Sequence, residues 1–162
     1  MGLRTMKRRR RENRTDYKAR RILLESDLPR VVVRRTNRYF VLQLIESSEA
    51  QDKVLVTMSS KELLKNDWDG DGNLKSVPAG YLTGVLFARR VKDKIKKKCI
   101  IDLGMARTLK GGRVFAVVKG LVDGGLDVDV DEKVFPSDDR LSGEHLKDGV
   151  REMIAKVKEE LG

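Results

Sequence analysis

The sequence is poor in the residues that build metal and redox centres. Its 162 residues hold one cysteine, Cys99, and one histidine, His145. A zinc finger or a disulfide framework cannot be assembled from that pair, and a reducing compartment is the simple inference. A Ser-His-Asp triad finds no support either, because the lone histidine falls in the tail. The Walker pattern is missing, so nothing points to nucleotide hydrolysis. No apolar run approaches the ~20 residues that span a bilayer. The longest candidate, Val77 to Ala88, is short and interrupted by Pro78, Gly80 and Gly84. The N-terminus is basic with no apolar segment behind the charges, which argues against a secretory signal. It is also too densely charged to make the amphipathic helix of a transit peptide. No internal repeat is visible.

What the chain has in quantity is charge. Hydrophobic residues make up 40% and charged residues 37%, the balance of a folded domain with a heavily charged surface. The formal net charge is +10, and its placement is uneven. Residues 1–21 hold ten Lys/Arg against Glu12 and Asp16, a net of +8, which leaves +2 for the other 141 residues. The core of this excess is Lys7, Arg8, Arg9, Arg10 and Arg11, flanked by Arg4 and Arg14. Five like charges in a row repel one another and bury nothing, so the stretch is no part of a core and needs a polyanion to give it a shape. Phosphate backbones fit best, since guanidinium forks grip two oxygens at once. Anionic lipid is the competitor, and a solvated tail the plain alternative. Arginine-rich segments typically fold on binding RNA.

Local patterns then lay out the elements. Thr15 to Glu25 reads as a helix capped by Thr15, with Asp16 at the positive end of the dipole. Its spacing puts Arg14, Lys18 and Arg21 on one side, and Ser26 to Pro29 stops it. Arg30 to Arg35 and Tyr39 to Glu46 read as strands of a hairpin, with Asn37 where positive φ is expected. Phe40, Leu42 and Leu44 share its core face. Val54 to Met58 is a third strand. Ser59-Ser60-Lys61-Glu62 is a capping box opening a short helix to Lys65. Pro78 sits in the first turn of a long helix reaching about Lys98, on which Gly80, Gly84 and Ala88 allow close approach to a sheet. Cys99 to Leu103 is a buried strand, reached by a parallel crossover. A helix from Val114 to Asp123 follows Gly111-Gly112-Arg113 and stops at Gly124-Gly125. The tail is acidic first, at Asp127, Asp129, Asp131 and Glu132, then helical from about Gly143 to Leu161.

The expected fold is α/β: a mixed four-stranded sheet, an antiparallel meander plus one parallel strand, packed by helices. It resembles the ribonuclease H-like arrangement found in the translation machinery, with fewer strands. Residues 1–14 form a basic arm, 15–125 the α/β domain, and 126–162 an acidic linker with a C-terminal helical extension.

Three further constellations bear on function. Arg34, Arg35, Asn37, Arg38 and Tyr39 cluster at a hairpin tip, where they offer phosphate forks, a base-edge reader and a stacking ring. A solvated turn is the alternative. Lys110, Gly112 and Arg113 precede a helix N-terminus whose free N–H groups suit a phosphate, or simply make a turn. Asp67-Trp68-Asp69-Gly70-Asp71-Gly72 fits the front half of a calcium loop, but position twelve is Pro78 rather than Glu. A polar loop pinned to the core by Trp68 is the better reading, and no metal or other cofactor is expected. A ribonuclease H-like nuclease needs an acid on the first strand, and Arg30 to Arg35 has none; Asp102, on the later strand, lacks a carboxylate partner. Cys99 reads as inert core.

Several stretches in order resemble a known family. Arg30-Val-Val-Val-Arg-Arg-Thr-Asn-Arg-Tyr39 with Gln43 resembles the first hairpin of the universal large-subunit ribosomal protein that binds 5S rRNA, the L-eighteen family. Pro78-Ala-Gly-Tyr-Leu-Thr-Gly84 resembles the start of its central helix. Asp102-Leu-Gly104, Gly112-Arg-Val-Phe-Ala116 and Lys119-Gly120 resemble its last strand and helix. Phe135-Pro-Ser-Asp-Asp-Arg140 and Ser142-Gly-Glu-His-Leu146 look like the extension of archaeal and eukaryotic members, and the short length favours an archaeal type. The hairpin tip departs from the frequent Ser-Asn-Lys-His of that family. The resemblance implies a non-catalytic constituent of the large subunit. Its implied partners are 5S rRNA, the large-subunit rRNA and neighbouring proteins of the central protuberance. It also implies RNA contacts on the arm and the hairpin, with the Asp-rich loop pointing away. A non-ribosomal nucleic-acid-binding module is the alternative, and a nuclease a weaker one.

Overall fold

A computed structural model describes residues 5–49, 51–66, 68, 73–95 and 98–160. The first described elements are α1 (Arg8–Arg11) and α2 (Tyr17–Glu25). Both bury no residue. Asp16, not Thr15, caps α2: its carboxylate accepts from the N–H groups of Lys18 and Ala19 at 2.9 and 3.3 Å. The helix therefore starts one residue later than the pattern suggested.

Four strands follow: β1 (Arg30–Arg35), β2 (Phe40–Ser48), β3 (Gln51–Ser59) and β4 (Ile100–Asp102), in the spatial order β3-β2-β1-β4. The first three make the antiparallel meander, and β4 lies parallel to β1, with Val31 opposite Ile101. The period-2 alternation sends Val31, Val33, Phe40, Leu42, Leu44, Val56 and Met58 into one core. Burying one such side chain is worth about 1.5–3 kcal/mol. The register shifts between Leu44 and Ile45, so β3 carries one extra residue, Leu55, and Asp52 comes to lie opposite Ser47.

The helix α3 (Val77–Lys92) and α4 (Arg113–Asp123) cover the core face. Ser76 caps α3 by accepting from the Ala79 N–H. This helix ends at Lys92, short of the expected Lys98, because the chain turns at Asp93–Ile95 to reach the sheet. The small-residue stripe of α3 faces α4 more than the sheet. A Cβ on Gly84 would overlap the Val117 carbonyl, and one on Gly120 the Tyr81 carbonyl. The two backbones thus meet directly at this crossing. The expected short helix after β3 is a 3₁₀ segment, Ser60–Lys65, capped by the Ser59 hydroxyl. Ser60 is buried and accepts from the Phe40 N–H at 3.1 Å.

The tail folds back. Cys99 bridges to Val128, and its N–H donates to the Asp127 carbonyl at 2.9 Å, so the acidic segment begins by flanking the β4 end of the sheet. The tail helix expected from about Gly143 starts later, as α6 (Asp148–Glu160), and a short helix that the pattern did not show, α5 (Asp138–Ser142), precedes it. They are separated at Gly143, whose φ of 78° ends α5 in the left-handed region. The apolar face of α6, Met153, Ile154 and Val157, packs with Leu63, Trp68, Ala79 and Leu82. Trp68 is indeed pinned to this core; Asp67, Asp69, Gly70, Asp71 and Gly72 lie outside the described residues, as do Lys96 and Lys97.

Candidate nucleic-acid interface

Arg8 to Arg11 of the arm lie on one exposed helical turn rather than on an extended chain. Its shape comes from local contacts. The Lys7 ammonium sits 4.6 Å from the Tyr17 ring centroid, a cation–π contact. The Arg9 Nε donates to the Thr15 hydroxyl at 3.0 Å. Glu12 lies 3.8 Å from Arg8 and 3.3 Å from Arg14. The fully unstructured arm expected from charge repulsion is thus replaced by a turn folded towards α2. Arg10 and Arg11 make no ion pair among the described residues. Arg4 lies outside them. On α2, Lys18 is exposed and Arg21 pairs with Glu25 at 2.7 Å.

The hairpin tip is closed by its own side chains. Thr36 N–H donates to the Tyr39 carbonyl at 2.8 Å, and the Tyr39 N–H donates to the Thr36 hydroxyl at 3.0 Å. The positive φ expected at Asn37 does not occur; these side-chain bonds close the turn instead. Arg35, Asn37 and Arg38 are exposed, while Tyr39 is half-buried. Lys75, which the sequence did not flag, braces the tip by donating to the Asn37 carbonyl at 2.8 Å. Nothing in its local sequence signals that reach from the loop before α3.

Arg34 is placed differently from its neighbours. It alternates onto the sheet face opposite the core, where its guanidinium donates to the Asp102 carboxylate at 3.0 Å and carbonyl at 2.7 Å. Asp102 also lies 3.5 Å from Arg30, which is only 2% exposed. Arg30 in turn meets Asp52 at 2.6 Å, and Asp52 meets Arg20 of α2 at 2.7 Å. Five alternating charges, Arg20, Asp52, Arg30, Asp102 and Arg34, therefore run across this face and tie α2 to three strands. Asp102 is neutralised by arginines, which is the opposite of a carboxylate awaiting magnesium. Burial pushes the Asp52 carboxyl up. The Ser47 hydroxyl and the Arg30 and Arg20 guanidiniums outweigh that and hold it below its ordinary 3.8. A depressed carboxyl contributes stability that is complete above the unfolded value and is lost as pH falls through the folded one. Wild type should accordingly be more stable than Asp52→Asn at pH 7, with the gap in urea midpoint closing as pH drops below about 4. A gap that persists at pH 2.5 would show that the carboxylate's charge is not what holds the network.

Lys110, Gly112 and Arg113 stand at the start of α4, with Lys110 and Arg113 exposed. The amides of Gly111 and Gly112 are already used: they donate to the Val134 and Leu109 carbonyls, each at 2.9 Å. A phosphate there would meet the two cationic side chains and the first amides of α4 only. Topology brings most of the basic elements together. The hairpin tip, the C-terminal end of β4, the N-terminus of α4 and the arm's junction with α2 all lie at one end of the sheet.

Groups that would support catalysis are otherwise engaged or scattered. No cluster of three His, Cys, Asp or Glu suited to a metal occurs among the described residues. Burial, reinforced by Asp127, raises the Cys99 thiol to about 11, so it is no ready nucleophile. No helix of the described residues is long and apolar enough to cross a membrane.

Fold and site define a basic α/β protein whose exposed cations suit a polyanion. A family model described as "Ribosomal large subunit proteins 60S L5, and 50S L18" matches residues 3–98 and 92–131. Large ribosomal subunit protein uL18 of Methanoregula boonei is 45% identical over 95% of this chain and 93% of its own. Its counterparts in Caldivirga maquilingensis and Korarchaeum cryptofilum are 50% and 46% identical, each over 86% of this chain and over 67% and 70% of their own. The chain belongs to the uL18 family of large ribosomal subunit proteins, as its archaeal-type motifs suggested. Its role is structural and not enzymatic, on the large subunit of the cytoplasmic ribosome.

Proposed function

We propose that this protein binds 5S rRNA and helps attach it to the large-subunit rRNA in the central protuberance, beside neighbouring proteins. The observation that carries the reading is the convergence of arm and hairpin tip at one end of a rigid sheet. Residues 1–14 supply most of the phosphate contacts, through Arg4, Lys7, Arg8 to Arg11 and Arg14, extended by Lys18 and Arg21. Arg35 and Arg38 add contacts from the tip, while Asn37 and Tyr39 meet unpaired bases. Lys110, Gly112 and Arg113 make a secondary backbone contact, and Arg34 sets the tip's orientation through Asp102. The core that fixes these groups is independent of them, so RNA binding and folding are separable by mutation.

A competition gel shift with labelled 5S rRNA tests the reading. Unlabelled 5S rRNA should displace the label far better than tRNA or duplex DNA. Equal displacement by all three would make the protein a sequence-blind nucleic-acid module instead. Arg35→Ala with Arg38→Ala should lower affinity by about tenfold or more, with the thermal melt unchanged. Unaltered binding in the double variant would move the site off the hairpin.

A further inference from the structure

A cleft of about 430 Å³ opens between the arm, α2 and the end of β4. That is the size range of small-ligand pockets. Its lining is of two kinds. Arg9, Arg14, Arg20 and Arg34 supply four guanidiniums. Each is pinned by one edge to a protein acceptor: Thr15, Glu12, Asp52 and Asp102 respectively. Pinning fixes the direction of the remaining donors and lowers the entropy lost on binding. The walls between them are apolar, with Ile22, Leu103 and Met105. Ile22 and Met105 are 59% and 55% exposed. They are two of the six exposed large apolar side chains among the described residues, and both line this cleft. The two acids in the lining are already committed, Asp16 to the start of α2 and Asp102 to Arg30 and Arg34.

A pocket that is cationic at its rim and apolar on its walls matches one ligand chemistry closely: a nucleotide, with a flat apolar base and an anionic phosphate. Purely electrostatic backbone contact would not need Ile22 and Met105. A purely apolar partner would not need four arginines. We propose that this cleft takes one unpaired nucleotide of the bound RNA. Its base lies between Ile22 and Met105, the thioether contacting the ring, and its phosphate meets the free edge of Arg9. The inference rests on the RNA-binding reading above and adds a second base-contacting site, separate from Asn37 and Tyr39 of the hairpin. Gly104 belongs to the site as well. Its φ of 60° disfavours a side chain there, and an added Cβ would push the Arg34 guanidinium aside, so glycine keeps the mouth open beside Met105.

Base-specific chemical probing of a 5S rRNA transcript, with dimethyl sulfate and a carbodiimide, tests this with the full-length protein. Wild type should protect at least one unpaired base. Ile22→Ala with Met105→Ala should leave that base reactive and weaken binding about tenfold, with the salt slope unchanged because no cation is lost. Met105→Phe alone should keep the protection, since it keeps an apolar face. Both alanine positions are exposed, and an unchanged thermal melt confirms folding. A protection pattern identical in wild type and double variant overturns the cleft alone. Failure of wild type to bind the transcript overturns the RNA reading and the cleft together.

Discussion

Removing residues 1–14 should cost about a hundredfold or more in affinity for 5S rRNA at low salt and flatten the salt dependence of what remains. The segment holds seven cationic residues against Glu12, a net of +6. Neutralising each phosphate releases condensed counterions and contributes about −0.7 to −0.9 to the slope of log K against log salt. Losing six such contacts makes the slope shallower by about four to five. The folded domain should not notice, because nothing in α1 is buried. Titrations at several salt concentrations read the effect directly, and a truncated protein with the wild-type slope would show the arm to be a bystander. The arm's helical turn sharpens the expectation. Arg8 and Arg14 share Glu12, so Glu12→Gln should free them and move affinity the other way.

The second large effect is on folding. Gly84→Ala should lower stability by about 4 kcal/mol or more, a large part of the 5–15 kcal/mol by which domains are stable. The added Cβ has no small adjustment available. It would overlap the Val117 carbonyl, and Gly120 Cα and Leu121 N lie 3.0 Å from its position. These are backbone atoms of α4, so α3 and α4 must separate, opening the core around Phe87 and Val117. Gly149→Ala is the internal control. It adds the same methyl group to α6, where nothing lies within 4 Å, and should stabilise by about 0.5 kcal/mol through a less flexible unfolded chain. Urea unfolding of both variants beside wild type decides the matter. Equal midpoints would mean that the helices can part without cost, contrary to the contact described.

Those two glycines also mark what local sequence could and could not show. The period-2 run Phe40, Leu42, Leu44 reports its face directly, because alternation is a local property, and all three are fully buried. The small-residue stripe on α3 was equally visible. Its partner was not, because Gly84 meets Gly120 through a crossing that only the assembled core defines. Arg34 illustrates the same limit at the site. It reads as a free tip arginine like Arg35 and Arg38, yet it points to Asp102, 68 residues away in sequence. The buried Arg30 and its partner Asp52, 22 residues apart, gave no local signal at all. The early end of α3 follows from the same long-range pairing: Cys99 is committed to Asp127, so the chain must leave the helix in time to reach it. The arm, by contrast, was legible from charge density alone. Only its fold onto Tyr17 and Thr15 was hidden.

The end of the sheet remote from the hairpin tip has a consequence of its own. Asp27, Glu46, Glu49 and Asp93 line a groove of about 850 Å³ there, beside Lys53, Lys94 and the arginine-paired Asp52, so its lining keeps a modest excess of carboxylates opposite the arginine-rich end. A body with cations at one pole and carboxylates at the other behaves like a compass needle in the field of a polyanion. The field pulls on one pole and pushes on the other, so it exerts a torque as well as an attraction. Rotation into the productive attitude then begins before any surface touches, within about a Debye length, ~8 Å at physiological salt. Approach from the wrong side is turned away instead of trapped. On the RNA-binding reading proposed above, these acids would act on the rate of correct encounter and leave the lifetime of the contact to the arginines.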